Sequence, residues 1–189
     1  MKRTALFILL SNVIILSCQS GFSEKEKAVY TQKGKEIAQA TAQYLGGEVK
    51  KKMQEGGVAK AAPFCNAQAG NFTDEMSQKY HVTIKRTSHK LRNEDNAPTP
   101  EEKAQLTQYQ NALKKREKLL PAVHKDAKEQ VHVYLPIKVQ KKCLACHGIP
   151  GETMQHEADS IIKQLYPKDK ATGFKEGDLR GMWSITFQK

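Results

Sequence analysis

Residues 131–147 read Val-His-Val-Tyr-Leu-Pro-Ile-Lys-Val-Gln-Lys-Lys-Cys-Leu-Ala-Cys-His. In the first half Val131, Val133, Leu135, Ile137 and Val139 alternate strictly, the period of a half-buried strand. The pattern predicts a strand pair or one long bent strand over 129–140, with Pro136 marking an edge or a bulge. The second half ends in C-x-x-C-H, the spacing of c-type haem attachment. Each position has a chemical task. Cys143 and Cys146 would add across the two haem vinyl groups as thioethers, and His147, one residue on, would supply the proximal imidazole to iron.

Two other chemistries use a CxxC. A thioredoxin-like redox pair should head a helix in a βαβ unit, and no such unit is legible. A zinc site needs further ligands, usually a second paired cluster, and beyond the motif only Cys65 and scattered histidines remain. The histidine that ends the motif and the leader at the N-terminus favour haem.

Working outward, residues 24–54 predict a long helix, with Val29, Lys33, Ile37, Ala40, Tyr44, Leu45 and Val49 near one face. Gly46-Gly47 is a candidate kink, and Gly56-Gly57 ends the helix. Residues 58–79 predict a second, alanine-rich helix carrying Pro63. Residues 82–87, Val-Thr-Ile-Lys-Arg-Thr, read as a strand. Residues 88–100 read as a polar loop. From Thr99 or Pro100 a helix should bury Leu106, Tyr109, Leu113, Arg116 and Leu120. Residues 153–166 predict a helix with Ile161, Ile162 and Leu165 inward, 167–180 a loop, and 183–187 a closing strand. Interleaved helices and antiparallel strands make an α+β domain.

Lys2 and Arg3 precede an apolar stretch over 4–16 that is too short to span a bilayer. It ends Ile15-Leu16-Ser17-Cys18, the pattern of a bacterial lipobox. Residues 1–17 are therefore expected to be a lipoprotein-type signal peptide, Cys18 the lipidated residue, 18–27 a tether and 28–189 the domain. Gln19, in place of Asp, suggests no retention at an inner membrane. The expected location is the periplasm or cell envelope, lipid-anchored. Lys and Arg number 31 against 20 Asp and Glu, a formal charge of +11. That surplus suits an acidic partner or anionic lipid, or is simply a solvated surface; nucleic acid is not expected outside the cytoplasm.

With Cys18, Cys143 and Cys146 assigned, Cys65 is left without an intramolecular partner. It is a buried small apolar group, a reactive thiol or a metal ligand. Other candidates for a second iron ligand are Met53, Met76, Met154 and Met182, and His81, His89, His124, His132 and His156. Arg86 and Arg92 are candidate partners for haem propionates, because guanidinium pairs carboxylates bidentately; the alternatives are a solvent-facing arginine or a loop clamp.

The ordered set Ala61-Ala62-Pro63-Phe64-Cys65-Asn66, Ile84-Lys85-Arg86-Thr87-Ser88, Leu91-Arg92-Asn93, Pro136-Ile137, Cys143-Leu144-Ala145-Cys146-His147-Gly148 and Gly177-Asp178-Leu179-Arg180-Gly181 resembles a known family. This is the extracytoplasmic c-type haem domains of PAS-like fold, first described in cyanobacteria and long labelled a domain of unknown function. The resemblance spans about residues 30–189. Arg92-Asn93-Glu94 departs from the family's usual Arg-Asn-Pro, and Glu101 and Glu102 match only some of the acidic and aromatic residues that the family carries after its proline. The resemblance implies a PAS-like antiparallel sheet flanked by helices, a long N-terminal helix, one covalent haem c, and His147/Cys65 axial ligation.

A thiolate ligand favours ferric iron and lowers the potential relative to His/Met. The functional expectation is extracytoplasmic electron transfer with a redox or signalling partner. The alternative is a haem-based redox or gas sensor working through a partner protein. No acid–base pair suited to peroxidase chemistry is legible, so an enzyme is not expected.

Overall fold

The computed structural model describes residues 22–188. The expected signal peptide and lipidated Cys18 lie outside the described residues. The first element, α1, runs Glu24–Tyr80. Ser23 starts it with a capping box: its hydroxyl accepts from the Glu26 N–H and the Glu26 carboxylate accepts from the Ser23 N–H. Residues 24–27, expected in the tether, are its first turn. Gly56 and Gly57 leave helical geometry, Gly57 at φ 63° and ψ −151°, a combination open essentially to glycine. The two arms beyond this break fold back on each other. The Tyr44 hydroxyl donates to the Glu75 carboxylate at 3.0 Å, and the Tyr44 ring meets Phe72 edge-on at 4.6 Å. Gly46-Gly47 stays helical. Pro63 lies in the second turn after the break.

Strand β1 is Val82–Thr87, α2 is Pro100–Lys114, β2 is Ala122–Lys125 and β3 is Val131–Lys138. The short helix α3, Leu144–His147, carries the CxxCH motif; α4 is His156–Leu165, and β4, Leu179–Phe187, closes the chain. The strands form one antiparallel sheet in the order β1-β4-β3-β2. The α+β architecture read from sequence, an antiparallel sheet flanked by helices with a long N-terminal helix, is the one found.

Both arms of α1 cover one face of the sheet, where Ile37, Ala38 and Met76 pack on Val82, Ile84, Val131, Val133, Leu135 and Ile185. At Gly34 the helix comes so close that an added Cβ would lie 2.6 Å from Val133 Cγ1. On the other face Leu106 and Tyr109 of α2 pack on Tyr134 and Met182, and the Tyr109 hydroxyl donates to the Tyr134 carbonyl at 3.0 Å.

Several expectations need correcting. Val29 and Tyr44, expected inward, are 46% and 42% exposed. Helix α2 stops at Lys114; Arg116 turns left-handed at φ 59° and Leu120 is 59% exposed. Strand β2 begins soon after, at Ala122. Pro136 is not on an edge strand, since β3 is interior. It lies past the last β2 partner, Tyr134, and just before the bulge at Ile137/Lys138. Helix α4 starts at His156 rather than Thr153, after a turn bridged by Pro150 and Met154. Strand β4 starts four residues earlier than expected. Gly181 permits this, because a Cβ there would collide with the Thr87 carbonyl oxygen.

Candidate haem site

Strand β3 delivers the chain to the site. Val139 is buried and tied to the 175–178 segment: its N–H donates to the Asp178 carbonyl at 2.8 Å, and the Gly177 N–H donates to its own carbonyl at 2.9 Å. A 3₁₀ turn at Lys141–Cys143 leads into α3. Gly148 ends α3 where a Cβ would press on the Thr153 side chain and the Leu144 carbonyl. The loop before β4 closes over the motif through the Phe174 N–H to the His147 carbonyl, 3.0 Å, and the Gly173 N–H to the Gly148 carbonyl, 2.8 Å.

His147 is set as a ligand would be. Its Nδ1 lies 2.8 Å from the Ala171 carbonyl oxygen. A carbonyl only accepts, so Nδ1 carries the proton and Nε2 keeps its lone pair. Burial, with Arg180 and Arg92 adding to it, holds the ring well below the ordinary histidine pKa, so it is neutral. Phe174 stands edge-on to the imidazole at 6.4 Å and 90°.

Cys143 and Cys146 are free thiols. Cys146 packs with Ala62, Met154, Ala158 and Ile162, and Cys143 with Val139, Ala171 and Phe174. Cys65, half-buried on the second arm of α1, belongs to the same site. Burial pushes its thiol up, the neighbouring Cys146 adds to the push, and Arg86 and Arg92 pull the other way. Burial likewise raises Cys146, against Arg92. Among the other candidate ligands, Met76 and Met182 are buried in separate core clusters and Met154 in the one that Cys146 packs against. His81 caps α1 through its backbone N–H. His132 bonds Asp126 and Thr186, and His124 meets the Tyr134 ring edge-on at 4.8 Å. Among the described residues no group of three or more His, Cys, Asp or Glu side chains converges as metal ligands.

The arginines differ in their bonding. Arg92 is a clamp. Its Nη2 donates to the Cys146 carbonyl at 2.6 Å, the Asp169 carboxylate at 3.1 Å and the Ala171 carbonyl at 3.3 Å, and its Nε reaches Asp169 at 3.3 Å. Asp169 in turn accepts the Ala171 N–H at 2.8 Å. Arg86 lies over Trp183, 5.6 Å from the ring, and burial lowers its pKa. Arg180 donates to the Lys90 carbonyl at 3.0 Å and sits 5.5 Å from the Phe174 ring. Burial first, then Arg92, brings it down to about 10. Among the described residues neither Arg86 nor Arg180 has a carboxylate within ion-pair distance, while Arg92 has Asp169. The site therefore has three guanidinium groups and one paired carboxylate. A ligand bearing two carboxylates, attached through thioethers and bound by imidazole, fits that donor set and charge.

Sequence reasoning brought together Cys65, Cys143, Cys146, His147, Arg86 and Arg92, and the structure places all six in one neighbourhood. It gave no role to Arg180, Asp169, Ala171 or Phe174. Arg180 stood in the quoted stretch 177–181. Ala171 acts through its backbone carbonyl and leaves no side-chain signal.

The profile of the Tll0287-like family matches residues 21–188. Among solved structures, the crystal structure of the cyanobacterial heme-protein Tll0287 is similar: 27% identity, 88% of this chain and 97% of that chain covered, TM-score 0.64. No curated protein matches. With its profile match running from the start of α1 through β4, and a matching fold around the CxxCH segment, this chain belongs to the Tll0287-like family.

Proposed function

We propose that this protein is a monohaem c-type cytochrome domain with His147/Cys65 axial ligation, lipid-anchored at Cys18, that carries electrons outside the cytoplasm. One observation carries the reading: the Ala171 carbonyl fixes Nδ1–H of His147 and leaves Nε2 free beside the two motif thiols, with Cys65 the neighbour of Cys146. The likeness to a cyanobacterial haem protein supports it.

Bound haem would supply a one-electron ferric/ferrous couple. Cys143 and Cys146 would hold it through thioethers, and His147, with its Nδ1–H fixed by the Ala171 carbonyl, would offer Nε2 to the iron. Cys65 would supply a thiolate, which would favour the ferric state. Arg86 and Arg180 would pair with the haem carboxylates, while Arg92 keeps the motif and the Ala171 loop in register.

Sensing through a partner protein is the second reading. The observation that favours it is the placement of Cys65 on the α1 arm beyond Gly56-Gly57, a joint whose backbone departs from the helix.

The test is a low-temperature EPR spectrum of the ferric protein made in cells with c-type haem maturation. A low-spin thiolate/imidazole signal, lost in Cys65→Ser, is expected. An unchanged spectrum in Cys65→Ser overturns the Cys65 assignment, and absence of haem overturns the whole reading. Loss of Cys65 from iron on reduction, seen as CO binding to the ferrous form, would move the function to sensing.

A further inference from the structure

Lysines are spread along the whole chain. On α1, Lys27, Lys51 and Lys52 each face a glutamate one turn away, while Lys25, Lys33, Lys35, Lys50, Lys60 and Lys79 make no ion pair among the described residues; seven acidic side chains share that helix with its nine lysines. Around the CxxCH motif acidic side chains are fewer. Lys90, Lys138, Lys141, Lys142, Lys170 and Lys175 are all exposed, and among the described residues none of them makes an ion pair.

These six lie on three segments that the fold binds together at the motif. Lys141 and Lys142 form the turn that leads into Cys143. The 139–140 stretch is bonded to 177–178, the Lys170 N–H donates to the Leu91 carbonyl at 2.8 Å, and the Lys90 ammonium donates to the Thr172 carbonyl while lying 4.5 Å from the Phe174 ring. The only acidic side chains on residues 138–148, 88–92 and 168–178 are Asp169, which is held by Arg92, and Glu176 and Asp178. The edge of the site therefore carries a surplus of positive charge, six unpaired lysines against Glu176 and Asp178, with Lys168 paired to Glu94.

The direction of this face is also set. Phe22 packs beside Tyr30 at 5.9 Å and under Lys125, whose strand partner is Val131 at the start of β3. The motif follows the other end of β3. The seven rises of about 3.3 Å along the eight residues of β3 put roughly 23 Å between the place where the chain joins the fold and the lysine face. Whatever holds the chain ahead of Phe22 acts at the far end.

From these placements we infer that the lysine-ringed face is the docking surface for a protein partner with an acidic patch, and that it points away from the N-terminal attachment. The inference rests on the haem reading, since the charge surrounds the motif that would carry the redox group. Charge complementarity of this kind raises association rates at low salt and sets orientation.

The test uses haem-loaded protein, Lys141→Glu/Lys142→Glu, and Lys35→Glu/Lys50→Glu on α1 as a control of equal charge change. A pyridine haemochrome spectrum first reports thioether haem in each, so loss of haem is distinguished from loss of docking. Poly-L-glutamate binding is measured by calorimetry. Reoxidation of the reduced protein is measured with hexacyanoferrate(III), an anion that takes one electron from ferrous iron, and with the cation tris(phenanthroline)cobalt(III), which does the same. At low salt the Lys141/Lys142 variant should bind polyglutamate about tenfold more weakly, react more slowly with the anion and faster with the cation. The control should change less than about twofold, and the differences should shrink as salt shortens the screening length. Equal effects in the two variants overturn the inference. So does unaltered polyglutamate binding. Salt-sensitive binding of the parent protein, but not the Lys141/Lys142 variant, to phosphatidylglycerol vesicles with no binding to polyglutamate overturns it in favour of a membrane surface.

Discussion

Replacing Arg92 with Gln should be the most damaging single polar change in the protein. The Asp169 side chain is 3% exposed and that of Arg92 is 15% exposed. Removing one partner of a buried pair leaves a charge without compensation and costs about 3–5 kcal/mol. Asp169 would keep the Ala171 N–H, which argues for the lower end. The loss of the bonds to the Cys146 and Ala171 carbonyls adds about 1 kcal/mol or more. The expected loss is thus about 4 kcal/mol, or roughly 8–16 °C in melting temperature for a domain of this size. Asp169→Asn should cost less, about 1.5–3 kcal/mol, since Arg92 keeps two carbonyl acceptors and the amide oxygen. The double variant should be better than the sum of the two by at least about 1.5 kcal/mol, because the second change removes the charge that the first strands. Urea unfolding followed by circular dichroism, with calorimetric melting, measures all four proteins. A loss below about 1 kcal/mol for Arg92→Gln, or strict additivity in the double variant, would refute the clamp.

Gly34→Ala should destabilise by about 1–3 kcal/mol through collision with Val133, which is fully buried, and Val133→Ala in the same chain should recover part of that loss by urea titration. Cys18→Ala should move the exported protein from the membrane to the soluble fraction of fractionated cells; unchanged partition sinks the lipid anchor. Asp126 is held below its ordinary value of 3.8 first by the hydrogen bond with His132. A depressed carboxyl contributes stability above its unfolded value and loses it as pH falls through the folded one. Asp126→Asn should therefore flatten the unfolding midpoint between about pH 4 and the depressed value, and a profile parallel to the parent's would count against the contact.

Much of this fold was legible because its signals are local. The alternation from Val82 to Thr87 and from Val131 onward names two strands, and Gly56-Gly57 marks the break in α1, with Gly57 in a backbone conformation that favours glycine. The failures share one cause: the deciding contact is distant in sequence. The apolar spacing through Leu113 and Leu120 continues past the end of α2, yet Arg116 turns left-handed and Leu120 is left largely exposed. Ala122–Lys125 is too short to announce a strand and becomes one only through pairing with Lys125↔Val131 and its neighbours. Pro136 read as an edge or a bulge because proline lacks a donor; the edge does not hold, since β3 is interior, but a bulge follows at Ile137/Lys138 and β2 ends short of the proline. The same holds at the site. CxxCH is a local motif and was read directly. The Ala171 carbonyl that orients His147 is 24 residues away and carries no side-chain signature.

The arginine surplus ties folding to the proposed cofactor. A base whose folded pKa lies below its unfolded value opposes folding at every pH below the folded value, so Arg180 at about 10 works against the haem-free fold across neutral pH. The depression from 12.5 corresponds to about 3 kcal/mol if fully felt, and nearer 1–2 for a guanidinium that water still reaches. Two propionates beside Arg86 and Arg180 would reverse that sign, turning an opposing charge into a paired one. Arg180→Gln should therefore act in opposite directions on the two forms. It should stabilise protein made without haem maturation by about 1 kcal/mol and destabilise the loaded protein by a similar amount or more. Urea midpoints of the two preparations, with and without the substitution, give the four numbers needed. Equal shifts of the same sign would mean that Arg180 serves the protein scaffold alone, through the Lys90 carbonyl and the Phe174 ring, and that the carboxylates it faces must be sought elsewhere.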